Sequence, residues 1–361
     1  MAPAYLGAAG YHGPPQLTVP RAFTEWTLDP WALAFVLLLG GLYLAGVRRV
    51  RRSGTDWSTG RVVAFCGLGL GFCVIATMSW VGVYQAVLFY VRSVQTILLL
   101  LVVPLFLAIG RPLSLLIASC PRLGPRVEAA IRSRAAKVLT FPAITTLVLI
   151  VVPFAVYFSP WYVAGFHSVA VRELTHLALM APGFVFFWTL LRVDPVPKAY
   201  PYLVSLWITG AEVIGDAALG LAVIADQTMI GGAYYHALGW PWGPSLATDQ
   251  VLGGGTLWIL GDLVGLPFLA AQLIQMIRED EADAVVIDAE LDARDAARSA
   301  AAGSAAVPDG APDGTVREGA VREGAVREGA VREGAVPDDR PWWESDPRFA
   351  GRFQPVDDGG D

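Results

Sequence analysis

Seven ionisable side chains stand inside stretches that are otherwise apolar: Arg92, Arg172, Glu173, His176, Glu212, Asp216 and Asp262. Two guanidinium groups, one imidazole and four carboxyls could pair as ions, hold or relay protons, or bind a metal. Arg172 and His176 are four residues apart, as are Glu212 and Asp216, so each pair shares one helix face. A charge placed alone in hydrocarbon costs at least about 2.5–3.5 kcal/mol, so these groups are expected to meet. Arg92 is expected to pair with Glu173 or Asp216 and to fix helix register. One reading is a network of ion pairs that ties helices together. The other is a polar pocket that takes a metal, a proton or a group from a partner.

The elements that position these residues follow from composition. Of the 361 residues, 55% are hydrophobic and 16% charged, where a soluble chain has about a quarter charged. The excess lies in long apolar blocks, which makes this an all-α, multi-pass membrane protein in the lipid bilayer. Seven blocks are long enough to cross: 31–47, 62–81, 86–109, 138–158, 168–191, 202–226 and 251–277. The run 112–120 is too short and is expected at the membrane interface. Loop 48–61 carries five arginines, loop 110–137 five arginines and Lys137, and loop 192–201 Arg192 and Lys198. Loops 82–85, 159–167 and 227–250 carry no Lys or Arg and are rich in Trp, Tyr and Pro. The positive-inside rule then places the N-terminus outside and the C-terminus in the cytoplasm. On that topology Arg92, Arg172, Glu173, His176 and Asp216 fall in the outer half, with Glu212 and Asp262 nearer the middle.

All four histidines (His12, His167, His176, His236) then lie outside or in the outer half, together with Met78, Met180 and Met229. Imidazole and thioether suit copper, with His176 the candidate ligand. Spacing gives little support, because no H-x-x-x-H, M-x-x-M or C-x-x-C occurs. Cys66, Cys73 and Cys120 read as small buried hydrophobes. No phosphate loop or G-x-S-x-G turn is present, so no enzyme is expected. No span contains a lysine, which excludes a retinal Schiff base. "GLGLGF" at 67–72 reads as small residues that let helices approach.

Outside the seven-helix domain (31–278), residues 1–30 form a polar, aromatic, Pro-rich segment with no cleavable leader pattern. Residues 279–302 form an acidic helix. Residues 303–361, with "VREGA" four times in tandem from Val316 to Ala335, have too little apolar surface to fold alone. Residues 303–361 are expected to be a disordered tail, whose aromatic end reads either as a docking peptide or as more of the same tail.

Three stretches carry a family resemblance over about residues 30–280. They are Val87–Pro112 with the following "GRPLSLL", "HLALMAPGFVFFWTLLRVDPVP", and "ATDQVLGGGTLWILGDLV". In these the chain resembles the CtaG family of cytochrome c oxidase assembly proteins of bacteria. The resemblance implies a multi-pass protein of the bacterial plasma membrane, serving the respiratory chain, whose partners are cytochrome c oxidase subunits. It implies a metal role on the outer side, through two helix histidines four apart. Here Arg92 and Thr96 stand at those positions, and a guanidinium has no lone pair to give a metal. Arg172 stands about where another family histidine falls. His176, Asp249, Gln250, Gly253, Gly254 and Trp258 match the family pattern. The expected function is assembly of a haem–copper oxidase, linked to copper delivery from outside, with the polar cluster as working site and Asp249, Gln250 and Trp258 at its outer rim. The alternative is a proton or metal-ion transporter that uses the intramembrane carboxylates. No nucleic-acid partner is expected.

Overall fold

The computed structural model describes residues 11, 13–198, 200 and 202–305. The expected features at His12, in the VREGA repeats and in the aromatic tail lie outside these residues. The chain divides into two units, Met1–Arg294 and Asp295–Asp361. The second is helical over its described residues, with Arg298 on Asp295 at 3.3 Å. Among the described residues there is no strand.

The first span, Pro30–Arg52, starts where Asp29 caps it: Oδ1 accepts from the Trp31 and Ala32 amides at 3.0 and 3.3 Å. Proline at the first helical position has no amide to leave unsatisfied, so "DPW" is a strong start signal. The second span, Thr59–Tyr84, the third, Phe89–Ile109, the fifth, Val169–Leu191, and the sixth, Leu203–Ala225, follow the expected blocks. The seventh lies in the helix Leu246–Ala305, which also includes the acidic stretch. Large side chains such as Leu37, Leu42, Trp207, Ile214 and Ile259 stand exposed along these helices, a pattern for lipid contact rather than water.

The fourth span departs from expectation. In place of one crossing over 138–158, a 16-residue helix Pro142–Tyr157 is followed by Trp161–His167 at an angle of 66°. Phe141, ahead of Pro142, is extended, as a residue before proline prefers, so Val138 and Leu139 end a separate short helix instead. The second bend falls where Ser159 and Pro160 interrupt the helix. The run 112–120 forms the helix Pro112–Ser119, held from outside the segment: Asp194, in the "DP" turn after the fifth span, accepts from the Leu113 and Ser114 amides at 3.0 and 2.9 Å.

The third span is the centre of the bundle and is the most buried of the long helices, the first span the least. Its middle, Leu98–Val102, widens into a π-helical turn just before Pro104. Proline frees the carbonyl four residues back, which is Leu100. The fifth span meets it at Gly183, where a Cβ would run into the Leu100 carbonyl oxygen and the Pro104 ring. Gly183→Val is therefore expected to cost at least about 1–3 kcal/mol and to cut the folded yield, read by size-exclusion recovery in detergent. Gly220 and Gly254 make the same kind of close approach between the sixth and seventh spans. Of the glycines in "GLGLGF", only Gly69 packs tightly, against Leu107; Gly71 faces open space.

Candidate functional site

The Lys- and Arg-free loops converge at one end of the bundle, where tyrosine, tryptophan and phenylalanine interlock. Tyr162 and Tyr235 share a hydrogen bond at 2.8 Å, and Phe166 stacks on Tyr234 with ring centres 4.6 Å apart. Burial pushes the Tyr235 phenol far above its ordinary pKa, so this ring is a neutral hydrogen-bonding wall. Beneath this layer is a cavity of about 260 Å³. Residues 27–30 of the N-terminal segment, Thr77, residues 82, 83, 85 and 86, Gln95, residues 165–167, Arg172, His176, Tyr234 and Leu238 line it.

One chain of charges runs along its wall. Arg172 Nη2 donates to Asp29 Oδ2 at 2.6 Å, and Arg172 Nε to Glu173 Oε1 at 3.1 Å. Glu173 Oε2 meets His176 Nδ1 at 3.3 Å. Asp29 and His176 are buried, and His176 Nε2 has no hydrogen-bond partner. Asp29 was not among the residues singled out from sequence. Its signal was the same "DP" step that starts the first span, here used twice, as helix cap and as counter-ion.

Arg92 is only 2% exposed, and its partners differ from those expected. Among the described residues no carboxylate lies within ion-pair distance of its guanidinium, so neither Glu173 nor Asp216 pairs with it. Nη1 donates instead to Gln85 Oε1 at 2.7 Å and Gln95 Oε1 at 2.9 Å, and the guanidinium lies over Phe166 and Tyr162, 5.4 and 6.0 Å from the ring centres. Neutral glutamines gave no charge signal in the sequence, which is why they were missed. Thr96 meets the Tyr157 hydroxyl at 3.0 Å.

Glu212, Asp216 and Asp262 form a second group, between the sixth and seventh spans. Glu212 and Asp216 share one helix face, with Asp262 beside them. Gly261 and Gly265 make room, since side chains there would meet the Asp216 and Glu212 carboxyls. Asp216 Oδ2 and Asp262 Oδ1 are buried without a hydrogen-bond partner. The seam continues to Thr209, which donates to Gln272 Oε1 at 3.0 Å. The seven residues thus do not form one cluster held by Arg92. Arg172 and His176 belong to the cavity wall with Glu173 bridging them from behind, Arg92 stands behind it as well, and the three acids lie in the seam.

The residues expected at a rim are fastenings. Asp249 is fully buried and accepts from the Phe89 and Tyr90 amides at 2.7 and 3.1 Å, capping the third span from the seventh. Gln250 accepts from the Ile230 amide and donates to the Val223 and Asp226 carbonyls. Trp258 lies partly exposed, mid-helix, beside the Gly220–Gly254 approach. Asp249→Ala is expected to cost about 1–2 kcal/mol, seen as a lower unfolding midpoint with an unchanged helical signal.

Copper does not fit the cavity. The lining offers two imidazoles, the buried His176, whose Nε2 is unpartnered, and the exposed His167, with no thiol or thioether beside them, and the nearest charges include the Arg172 guanidinium, which repels a cation. Among the described residues no three His, Cys, Asp or Glu gather as a metal set.

Residues 41–279, more than half of the chain, match the family model described as cytochrome c oxidase caa3 assembly factor (Caa3_CtaG). An uncharacterized protein of Mycobacterium leprae (strain TN) is 27% identical over 292 residues, covering 79% of this chain and 44% of the relative. An uncharacterized protein of Mycobacterium tuberculosis (strain CDC 1551 / Oshkosh) is 27% identical over 304 residues, 80% of this chain and 46% of the relative. The chain therefore spans less than half the length of these curated relatives. No solved structure matches it.

Proposed function

The chain belongs to the cytochrome c oxidase caa3 assembly factor family, and from that premise we propose that it assembles a haem–copper oxidase by holding a segment of an oxidase subunit at its aromatic end. This reading sets the aromatic end on the outer side of the bacterial plasma membrane and the arginine-rich loops in the cytoplasm, as the positive-inside rule orders them. The observation that supports it is the cavity beneath that end, walled by Asp29, Arg172 and His176, with the polar and aromatic character of a recognition pocket. On this reading the role is non-enzymatic. With no fitting donor set, the factor works by contact and not by carrying copper.

The test is a deletion strain. Loss of assembled oxidase, measured as its haem absorbance and turnover in membranes, with recovery on re-expression, is the expected result. A normal level of assembled oxidase without the protein overturns the reading. Copper content of the remaining oxidase is read in the same membranes, and copper-free but assembled oxidase would restore a delivery role.

A second reading draws on the seam. Asp216 Oδ2 and Asp262 Oδ1, buried and without partners, have the character of a proton relay. Proteoliposomes with an internal pH dye decide it: a proton flux abolished in Asp216→Asn favours transport, and its absence leaves the seam structural.

A further inference from the structure

We propose that the cavity at the aromatic end is a binding site for a carboxylate carried on an apolar stem. The ligand class follows from what its walls offer. Asp29, the one carboxylate in the lining, is already committed: Oδ1 to two backbone amides, Oδ2 to Arg172. It has little acceptor capacity left for a cationic or donor ligand.

A donor, by contrast, remains open. His176 Nε2 is buried and unpartnered, but its Nδ1–H serves the Glu173 carboxylate, so Nε2 of the neutral ring offers a lone pair and only the doubly protonated ring a second donor. Gln85 lines the cavity with its Oε1 held by Arg92, and its Nε2 makes no hydrogen bond. Behind that wall, Arg92 Nη2 lies 3.6 Å from where a Cβ on Gly165 would sit. Its charge is buried among neutral acceptors and aromatic faces with no counter-ion among the described residues. A buried cation without a partner is costly, and an anion seated in the adjoining cavity repays that cost. Gln85 can pass the attraction on, because the guanidinium at its carbonyl oxygen polarises its amide toward donating.

Size and lining narrow the class. About 260 Å³ is close to the lower end for small-ligand pockets, about 300 Å³, so the site takes one small group. Leu28, Pro30, Val83, Ala86, Phe166 and Leu238 supply apolar wall, which suits a short hydrocarbon stem and disfavours a bare phosphate. The carboxylate can come from a free short-chain acid or from a polypeptide. The proposal rests on the assembly reading only for the second source.

The experiment uses the full chain in lipid nanodiscs at constant ionic strength, with the unfolding temperature as readout. The probes are sodium hexanoate, neutral hexanamide, and an N-acetylated Leu-Ala dipeptide as free acid and as C-terminal amide. A saturable rise with hexanoate or the dipeptide acid, absent with the amides, is the expected result. Hexanoate alone assigns a free acid, and the dipeptide acid alone a polypeptide end. Arg92→Met should weaken the effect at least tenfold. Ala86→Leu, which fills the cavity and leaves every charge in place, should do the same and stands if the arginine variant fails to fold. Equal effects of acid and amide, no acid effect beyond that of chloride, or an acid effect intact in Ala86→Leu overturns the site. Oxidase assembly plays no part in this readout, so its failure and a failure of the assembly reading are separate results.

Discussion

Replacing Arg172 with leucine is expected to destabilise the protein by about 3 kcal/mol, the low end for breaking a buried ion pair by removing one partner. The reason is what it leaves behind. Asp29, 8% exposed, would keep its two amide bonds but lose its only cation, and Glu173 would keep only His176. Asp29 also starts the first span, so the stranded charge sits at a helix end that has to form. Urea titration of the purified protein measures the loss. Asp29→Asn alone should cost less, because an amide still caps a helix. Combining it with Arg172→Leu should recover part of the arginine loss, since the two changes share one interaction. Strict additivity of the pair would show that the 2.6 Å contact contributes nothing.

Arg92→Met is expected to show the opposite pattern: a fold about as stable as the parent, and a function lost. No carboxylate is abandoned by the change, and exchange of a buried charge for an apolar side chain of similar length is often neutral or stabilising. The two glutamine oxygens lose a donor, at about 1–3 kcal/mol for each one left buried and unsatisfied, a cost of the same order as that gain. Oxidase assembled in a complemented deletion strain should fall at least tenfold while membrane levels of the variant hold. Asp216→Asn should not restore it, because the guanidinium does not meet that acid. Equal loss of protein and of oxidase would reduce Arg92 to a structural role.

The contrast between these residues also shows what the sequence could reveal. Arg172, Glu173 and His176 are close in the chain, so helix periodicity alone brings them to one wall, and Glu212 with Asp216 likewise. The meeting of Arg92 with an acid depended on how separate helices rotate about their axes. Apolar blocks do not encode that rotation when lipid and protein neighbours are both apolar. Asp29 hid in a segment read as a polar lead-in, although Asp-Pro before an apolar run is a start signal with a clear mechanism. Asp249, Gln250 and Asp194 were visible as polar residues at span ends. Their bonds to distant backbone groups need the tertiary path, which makes Asp249, expected at a rim, a cap of the third span and Asp194 a cap of the short helix Pro112–Ser119. The bend in the fourth span was foreshadowed by Pro142 and Pro160, which cut its helix to 16 residues.

That short helix has a consequence for the surrounding bilayer. Sixteen residues rise about 24 Å, some 6 Å less than a hydrocarbon layer of about 30 Å. The tilted segment Trp161–His167, whose Gly165, Phe166 and His167 line the cavity, lies where the missing length would be. Hydrophobic mismatch of this kind is relieved by local thinning of the lipid. The membrane surface should dip on that flank of the protein, which brings water, and the end of any client chain, down toward Arg172 and His176.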